Sequence, residues 1–136
     1  MAEKRSCDIG LIGLAVMGQN LVLNMNGAPS LLKNTGPAGR GLNLKLTGSQ
    51  SNRNAIGARV TVVAGGRKMI DEVMSGGSYY SHNSLTLHFG MGAAAQADRV
   101  EVKWPSGRVQ EWKAVAAGQT VRIVEGASAL ETKPVE

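Results

Sequence analysis

The sequence is poor in the residues that staple or arm small proteins. Its single cysteine, Cys7, excludes an intramolecular disulfide and any metal centre built on cysteines alone. Cys7 is left as either a small buried side chain or an exposed thiol. Aromatic residues make up only 4% of the chain, so a core has to come chiefly from Val, Leu, Ile and Ala. Histidine is equally scarce. His82 and His88 have no Asp, Glu or Cys at ligand spacing, and no Ser, Cys or Thr stands with either in a nucleophile pattern. No metal ligand and no catalytic residue is therefore assigned, and the chain is read as a non-enzyme. No apolar run approaches the roughly 20 residues that cross a bilayer. Lys4 and Arg5 do precede the apolar run from Ile9 to Met17. Glu3 and Asp8 flank that basic pair, however, and no small-x-small site follows, so no signal peptide is assigned.

What the chain does contain suits one globular domain. An apolar fraction of 43% against 18% charged residues places it outside the disordered class. Eighteen glycines supply turns for short strands. The net charge is +5, but the Lys and Arg residues are scattered singly, mostly alternating with apolar residues. That pattern belongs to the solvated face of a sheet and argues against a nucleic-acid partner.

The chain has two textures. Residues 1–26 carry a strand-like run, Cys7 to Ile12, a glycine-punctuated turn, Gly13-Leu-Ala-Val-Met-Gly18, and then Gln19-Asn-Leu-Val-Leu-Asn-Met25, which could begin a helix. Strand, tight turn and helix start open a dinucleotide-binding unit, where small residues let the backbone approach a pyrophosphate. The run from Asp8 to Asn26 closely resembles the N-terminus of 6-phosphogluconate dehydrogenase. That resemblance implies Gly13, Ala15 and Gly18 as the cofactor-binding positions under an NADP pyrophosphate. The second strand, the residues that read the 2′-phosphate and the helical catalytic domain of that family have no counterpart here. One strand and part of a helix make no cofactor crevice, so no cofactor is assigned. Breakers follow, in Gly27-Ala-Pro-Ser and Asn34-Thr-Gly-Pro-Ala-Gly39, and 27–41 reads as a linker.

Beyond the linker everything reads as β. Leu42, Leu44 and Leu46 alternate with Asn43 and Lys45. Arg59–Ala64 and Lys68–Met74 flank Gly65-Gly66, which suits a primed two-residue hairpin turn with positive φ at both positions. Leu85–Phe89 alternates again, as does Val100, Val102, Trp104. Pro105-Ser-Gly107 turns into Val109–Lys113, and Val121 with Ile123 marks a last strand. About seven short strands predict a mainly β fold, a small antiparallel sandwich or barrel, with a short N-terminal strand-turn-helix appendage. The β domain is placed at 42–126, and the tail 127–136 is read as frayed.

Four successive blocks carry a second resemblance: Ser51–Val60, Ser75–Ser81, Leu87–Gly92 and Asp98–Gly107. In this order they resemble the ASPIC/UnbV domain, over about residues 27–126. In that family the module usually ends a longer extracytoplasmic protein, after FG-GAP (VCBS-type) propeller repeats, as in cartilage acidic protein-like proteins. The resemblance implies a non-enzymatic interaction or structural module with an unidentified protein or glycan partner. The two resemblances meet at Val22–Asn26, a string that suits both, as in a chimera.

Candidate partner-binding residues are Asn52, Arg53, Arg59, Tyr79, Tyr80 and Trp112. A loop Arg beside Gly57 can hold a carboxylate bidentately, or can tie its loop to Asp98 or Glu101. Tyr79-Tyr80 can form a ligand platform, or one ring can plug the sandwich. Trp104, in phase with Val100 and Val102, belongs to the core, whereas Trp112 reads as a half-exposed contact residue. His88, out of phase with Leu87 and Phe89, is expected to face outward or to accept a backbone hydrogen bond.

Overall fold

The computed structural model describes residues 20–23, 30–33, 39–78 and 81–134. The strands, in chain order, are β1 (Asn20–Leu23), β2 (Ser30–Lys33), β3 (Arg40–Thr47), β4 (Arg59–Ala64), β5 (Arg67–Glu72), β6 (Gly77–Ser78), β7 (Ser81–His82), β8 (Leu87–Gly92), β9 (Gln96–Lys103), β10 (Val109–Ala116), β11 (Gln119–Val124) and β12 (Glu131–Pro134). Among the described residues there is no helix, so none is long and apolar enough to cross a membrane. Two four-stranded sheets, ordered β10-β9-β4-β5 and β12-β11-β3-β8, dominate. The pairs β1-β2 and β6-β7 are separate two-stranded ladders.

Alternation decides which side chains go inside. Val60, Val62 and Ala64 of β4, Val100 and Val102 of β9, Leu42, Leu44 and Leu46 of β3, Leu87, Phe89 and Met91 of β8, and Val121 and Ile123 of β11 share one apolar cluster. Both large sheets thus bury one face against a common core. Trp104, 1% exposed, supplies its largest side chain. The Gly65-Gly66 turn forms as expected, with φ of 53° and 75° and Ala64 paired to Arg67, so β4 and β5 make a two-residue hairpin.

Several expectations are corrected. The second sheet is mixed rather than antiparallel, because β11 runs parallel to β3. The chain leaves β10 through Ala117 and Gly118, whose amides donate to Ala95 O and Gly41 O, and enters the other sheet instead of folding back in its own. Alternation reports a strand's two faces and carries no information on its direction. The tail expected to fray includes β12, which pairs with β11 over Gln119–Arg122 and adds an eighth strand to the two sheets. In the dehydrogenase-like opening, Asn20–Leu23 is a strand opposite Ser30–Lys33, not the beginning of a helix, as its Leu-Val-Leu core favours. Ser30–Lys33 falls in the stretch read as a linker. Among the described residues no ladder joins the two large sheets.

The shared core makes its centre the costly place to cut. Leu44→Ala on the central strand β3 is expected to destabilise by about 2–5 kcal/mol. Val109→Ala, at a 56% exposed position of β10, should cost under about 0.5 kcal/mol. Urea denaturation of both variants checks the contrast.

Candidate functional site

The loop between β3 and β4 is shaped by three local devices. Gly48 opens it, and a side chain there would collide with the carbonyl oxygens of Asn52 and Ser51. Asn52 then closes a small ring on itself: its Oδ1 accepts from Ile56 N and its Nδ2 donates to Ile56 O, both at 2.8 Å. Between these, the amides of Ser49, Gln50 and Ser51 converge on one point, as successive N–H groups do in an anion nest.

That nest is filled from within the chain. Glu125, 3% exposed and just past the end of β11, places Oε2 at 2.8 Å from Ser49 N, 2.8 Å from Gln50 N and 2.7 Å from Ser51 N. Its Oε1 accepts from Ser51 Oγ at 3.0 Å and from Ser106 Oγ in the β9-β10 turn. Ser51 Oγ in turn accepts from Ser106 N at 3.1 Å, and Ser49 Oγ donates to Glu125 O at 3.0 Å. Burial by itself pushes the Glu125 carboxyl up, but the hydrogen bonds from Ser106 and from the Ser51, Ser49 and Gln50 amides outweigh it and lower its pKa to about 2. The segment after Glu125 is clasped as well. Gln110 accepts from Gly126 N and donates to Ala127 O, both at 2.8 Å, and Trp112 Nε1 donates to Ser128 O at 3.0 Å.

Beyond Asn52 the loop carries its exposed cation. Arg53 and Asn54 line a cleft of about 240 Å³ with Lys45 and Thr47 of β3, Leu85, and Arg122 of β11. Arg122 lies opposite Lys45 in the parallel ladder and reaches Glu131 of β12 at 3.4 Å. Among the described residues no carboxylate comes within ion-pair distance of Lys45 or Arg53. A second cleft, about 330 Å³, opens at the β5 and β8 edges and has the opposite character, with Asp71, Glu72, Ser84 and His88 on its walls.

The structure separates the residues that the sequence grouped. Asn52 is spent on closing its loop, and Arg53 alone of the trio faces the basic cleft. Arg59 lies on β4 opposite Glu72 and Lys103, on the solvent face of the other sheet. Arg53 does not pair with Glu101, which bonds Arg99 at 3.6 Å. Trp112 is half-buried beside the core and tied to Ser128. His88 does not meet a backbone group; its Nδ1 sits 2.8 Å from Asn43 Oδ1, and Asn43 Nδ2 donates to Thr120 Oγ1 at 3.4 Å. Tyr79, Tyr80, Gly13, Ala15, Gly18 and Cys7 lie outside the described residues. Among the described residues no three His, Cys, Asp or Glu side chains gather to hold a metal ion. Sequence reasoning missed Glu125 and its serine cradle. The available signals were an acid at a strand end before Gly126 and the small polar run Ser49-Gln-Ser51, separated by more than seventy residues.

The cradle generates a pH dependence. An ordinary glutamate titrates near 4.5 and Glu125 near 2, so its stabilising contribution is complete above about pH 4.5 and is lost as pH falls toward 2. In Glu125→Gln one amide nitrogen would turn donor against donor, which should cost about 3 kcal/mol at neutral pH. It should also flatten stability between pH 5 and 2 relative to the parent, as measured by urea midpoints across that range.

Residues 48–130, more than half of the chain, match the family model described as ASPIC and UnbV, and all four sequence blocks fall within the match. No curated protein matches the chain, and the dehydrogenase-like opening and the chimera it suggested gain no support from these comparisons. With two β-sheets around one core and the match running from the Glu125 cradle to the edge of β12, the chain belongs to the ASPIC and UnbV family.

Proposed function

We propose that this chain is a non-catalytic interaction module, a two-sheet sandwich that meets its partner through the loop carrying Arg53. The observation that carries this reading is the division of labour within residues 48–54. The backbone and the polar side chains Ser49, Ser51 and Asn52 are consumed in fixing the loop. Arg53 is left exposed and, among the described residues, without a carboxylate partner. A charged side chain on a pre-ordered loop loses little entropy on meeting a partner, which favours recognition over structural support. Membership of the ASPIC and UnbV family supports a non-catalytic role. His88, bonded to Asn43 and half-buried, is occupied as a sheet contact instead of being paired with a nucleophile.

Two measurements test the proposal on the full chain. Millimolar NADP⁺ should leave the melting temperature unchanged, whereas a dinucleotide site would stabilise by about 2.7 kcal/mol at a hundredfold excess over Kd. Turnover of an activated ester such as p-nitrophenyl acetate should stay at the buffer rate and be insensitive to His88→Ala. Stabilisation by NADP⁺, or ester turnover lost in His88→Ala, overturns the reading. Arg53→Ala should alter stability by less than about 0.5 kcal/mol, since the side chain is exposed and outside the loop's hydrogen bonds.

A further inference from the structure

The basic cleft identifies a ligand chemistry. Its three cations come from three separate segments: Lys45 from the middle of β3, Arg122 from β11, and Arg53 from the loop that Glu125 holds in place. The ladder register sets Lys45 and Arg122 side by side, about 5 Å apart at the backbone. Three like charges around so small a volume repel one another, and low-dielectric walls such as Leu85 concentrate their field in the opening. The arrangement is favourable when an anion enters. Two guanidinium groups suit a planar oxyanion held by paired N–H donors. Thr47 and Asn54 add neutral hydrogen-bonding groups on the same wall.

The chain itself shows one such anion in place. Glu131 lies opposite Arg122 in the antiparallel ladder on β12, the strand that flanks β11 on the side away from β3, and its carboxylate is 3.4 Å from the Arg122 guanidinium. That pair is open to solvent, with the two side chains 51% and 66% exposed, so it is weak and replaceable. An extended polypeptide bearing a carboxylate therefore already reaches one cation of this cleft in cis. Lys45 and Arg53 have no equivalent among the described residues. The volume, about 240 Å³, is below the roughly 300 Å³ at which small-molecule pockets begin, and admits a side-chain-sized group.

We propose that the Lys45, Arg53 and Arg122 cleft binds an acidic peptide segment of a partner protein, seating one Asp or Glu carboxylate between the two guanidinium groups. This deepens the interaction-module reading and rests on it, but the two fail separately. NADP⁺ stabilisation or His88-dependent turnover would remove the module reading, whereas the measurements below bear only on the ligand.

The test is fluorescence anisotropy of a labelled hexa-aspartate peptide titrated with the full chain at low ionic strength, with the melting temperature of each variant recorded alongside. Arg53→Gln and Lys45→Gln are each expected to weaken binding about tenfold, the loss of one charge-assisted hydrogen bond. Lys113→Gln, on the solvent face of the other sheet, removes the same charge and should leave affinity within about twofold, the size of a screened distant charge. Glu131→Gln should tighten binding a few-fold by removing the internal competitor of Arg122. Equal weakening by Lys113→Gln and Arg53→Gln would reduce the effect to net charge and overturn the proposal. So would tighter binding of a sulfated heparin oligosaccharide or of single-stranded DNA of matched charge. Because the Arg53 side chain is exposed and the loop's own hydrogen bonds use only its carbonyl, which accepts from Gly48 N, its variant is expected to melt with the parent. Glu131→Gln keeps the question answerable even if Lys45→Gln lowers stability.

Discussion

One buried carboxylate organises the polar half of this molecule. Glu125 directly follows β11 of one sheet, yet its oxygens are held by the loop after β3 and by the turn between β9 and β10 in the other. A charged group in such surroundings survives only with its lone pairs occupied, and here three amides and two hydroxyls occupy them. The same bonds give three chain segments, far apart in sequence, a single relative position. Gly48 is required because the loop must turn tightly enough to aim consecutive amides at one point. Gln110 and Trp112 then continue the fastening along residues 126–128, which delivers the chain to β12. The basic cleft inherits its geometry from this arrangement, since Arg53 follows directly on the cradle.

The sheets impose a second constraint through register. Lys133, Thr120, Asn43 and His88 lie in one row across β12, β11, β3 and β8, and Glu131, Arg122 and Lys45 lie in the next. On this face His88, Arg122 and Lys45, with the buried amide Asn43 between them, alternate along β8, β11 and β3 with buried apolar residues, so a slip of one residue would exchange them with Leu44, Val121 and Leu87. The hydrophobic core thereby fixes where the charges sit. The Asn43 contacts to His88 and Thr120 add a polar tie across three strands of that face.

These two constraints explain what was legible in the sequence. Strand positions, core residues and the Gly65-Gly66 turn could be read because each depends on neighbours within a few residues. The limits of β4 coincide with the alternating run Arg59–Ala64. Trp104 was placed in the core by its phase with Val102. The parallel pairing of β11 with β3 could not be read, because it follows from a crossover between sheets and leaves no periodic trace. Likewise β12 shows four exposed residues in succession and no alternation of burial, so its polar sequence resembles a loose tail until β11 supplies a partner. The Glu125 cradle was hidden for the same reason. Its members are ordinary serines, a glutamine and a lone acid whose meaning appears only when strands from both sheets bring them together.

Three polar residues that are neighbours in the sequence are parted by the fold. Asn52, Arg53 and Arg59 stand close together around Gly57, which suggested one polar constellation. In the fold the chain passes from the edge of the β3 sheet to the β4 sheet within these eight residues, so Arg53 and Arg59 emerge on the solvent faces of different sheets. Asn52 is the pivot that allows this, spending both ends of its amide on Ile56. Arg53 instead gains Lys45 and Arg122, neighbours from elsewhere in the chain. A binding surface of this kind is assembled by the sheet crossover itself. Its cations are contributed singly by strands that look, one at a time, like the solvated face of an ordinary sheet. Scattered basic residues in an alternating sequence are thus compatible with a concentrated positive cleft whenever adjacent strands hold them in register and a pre-ordered loop closes the remaining side.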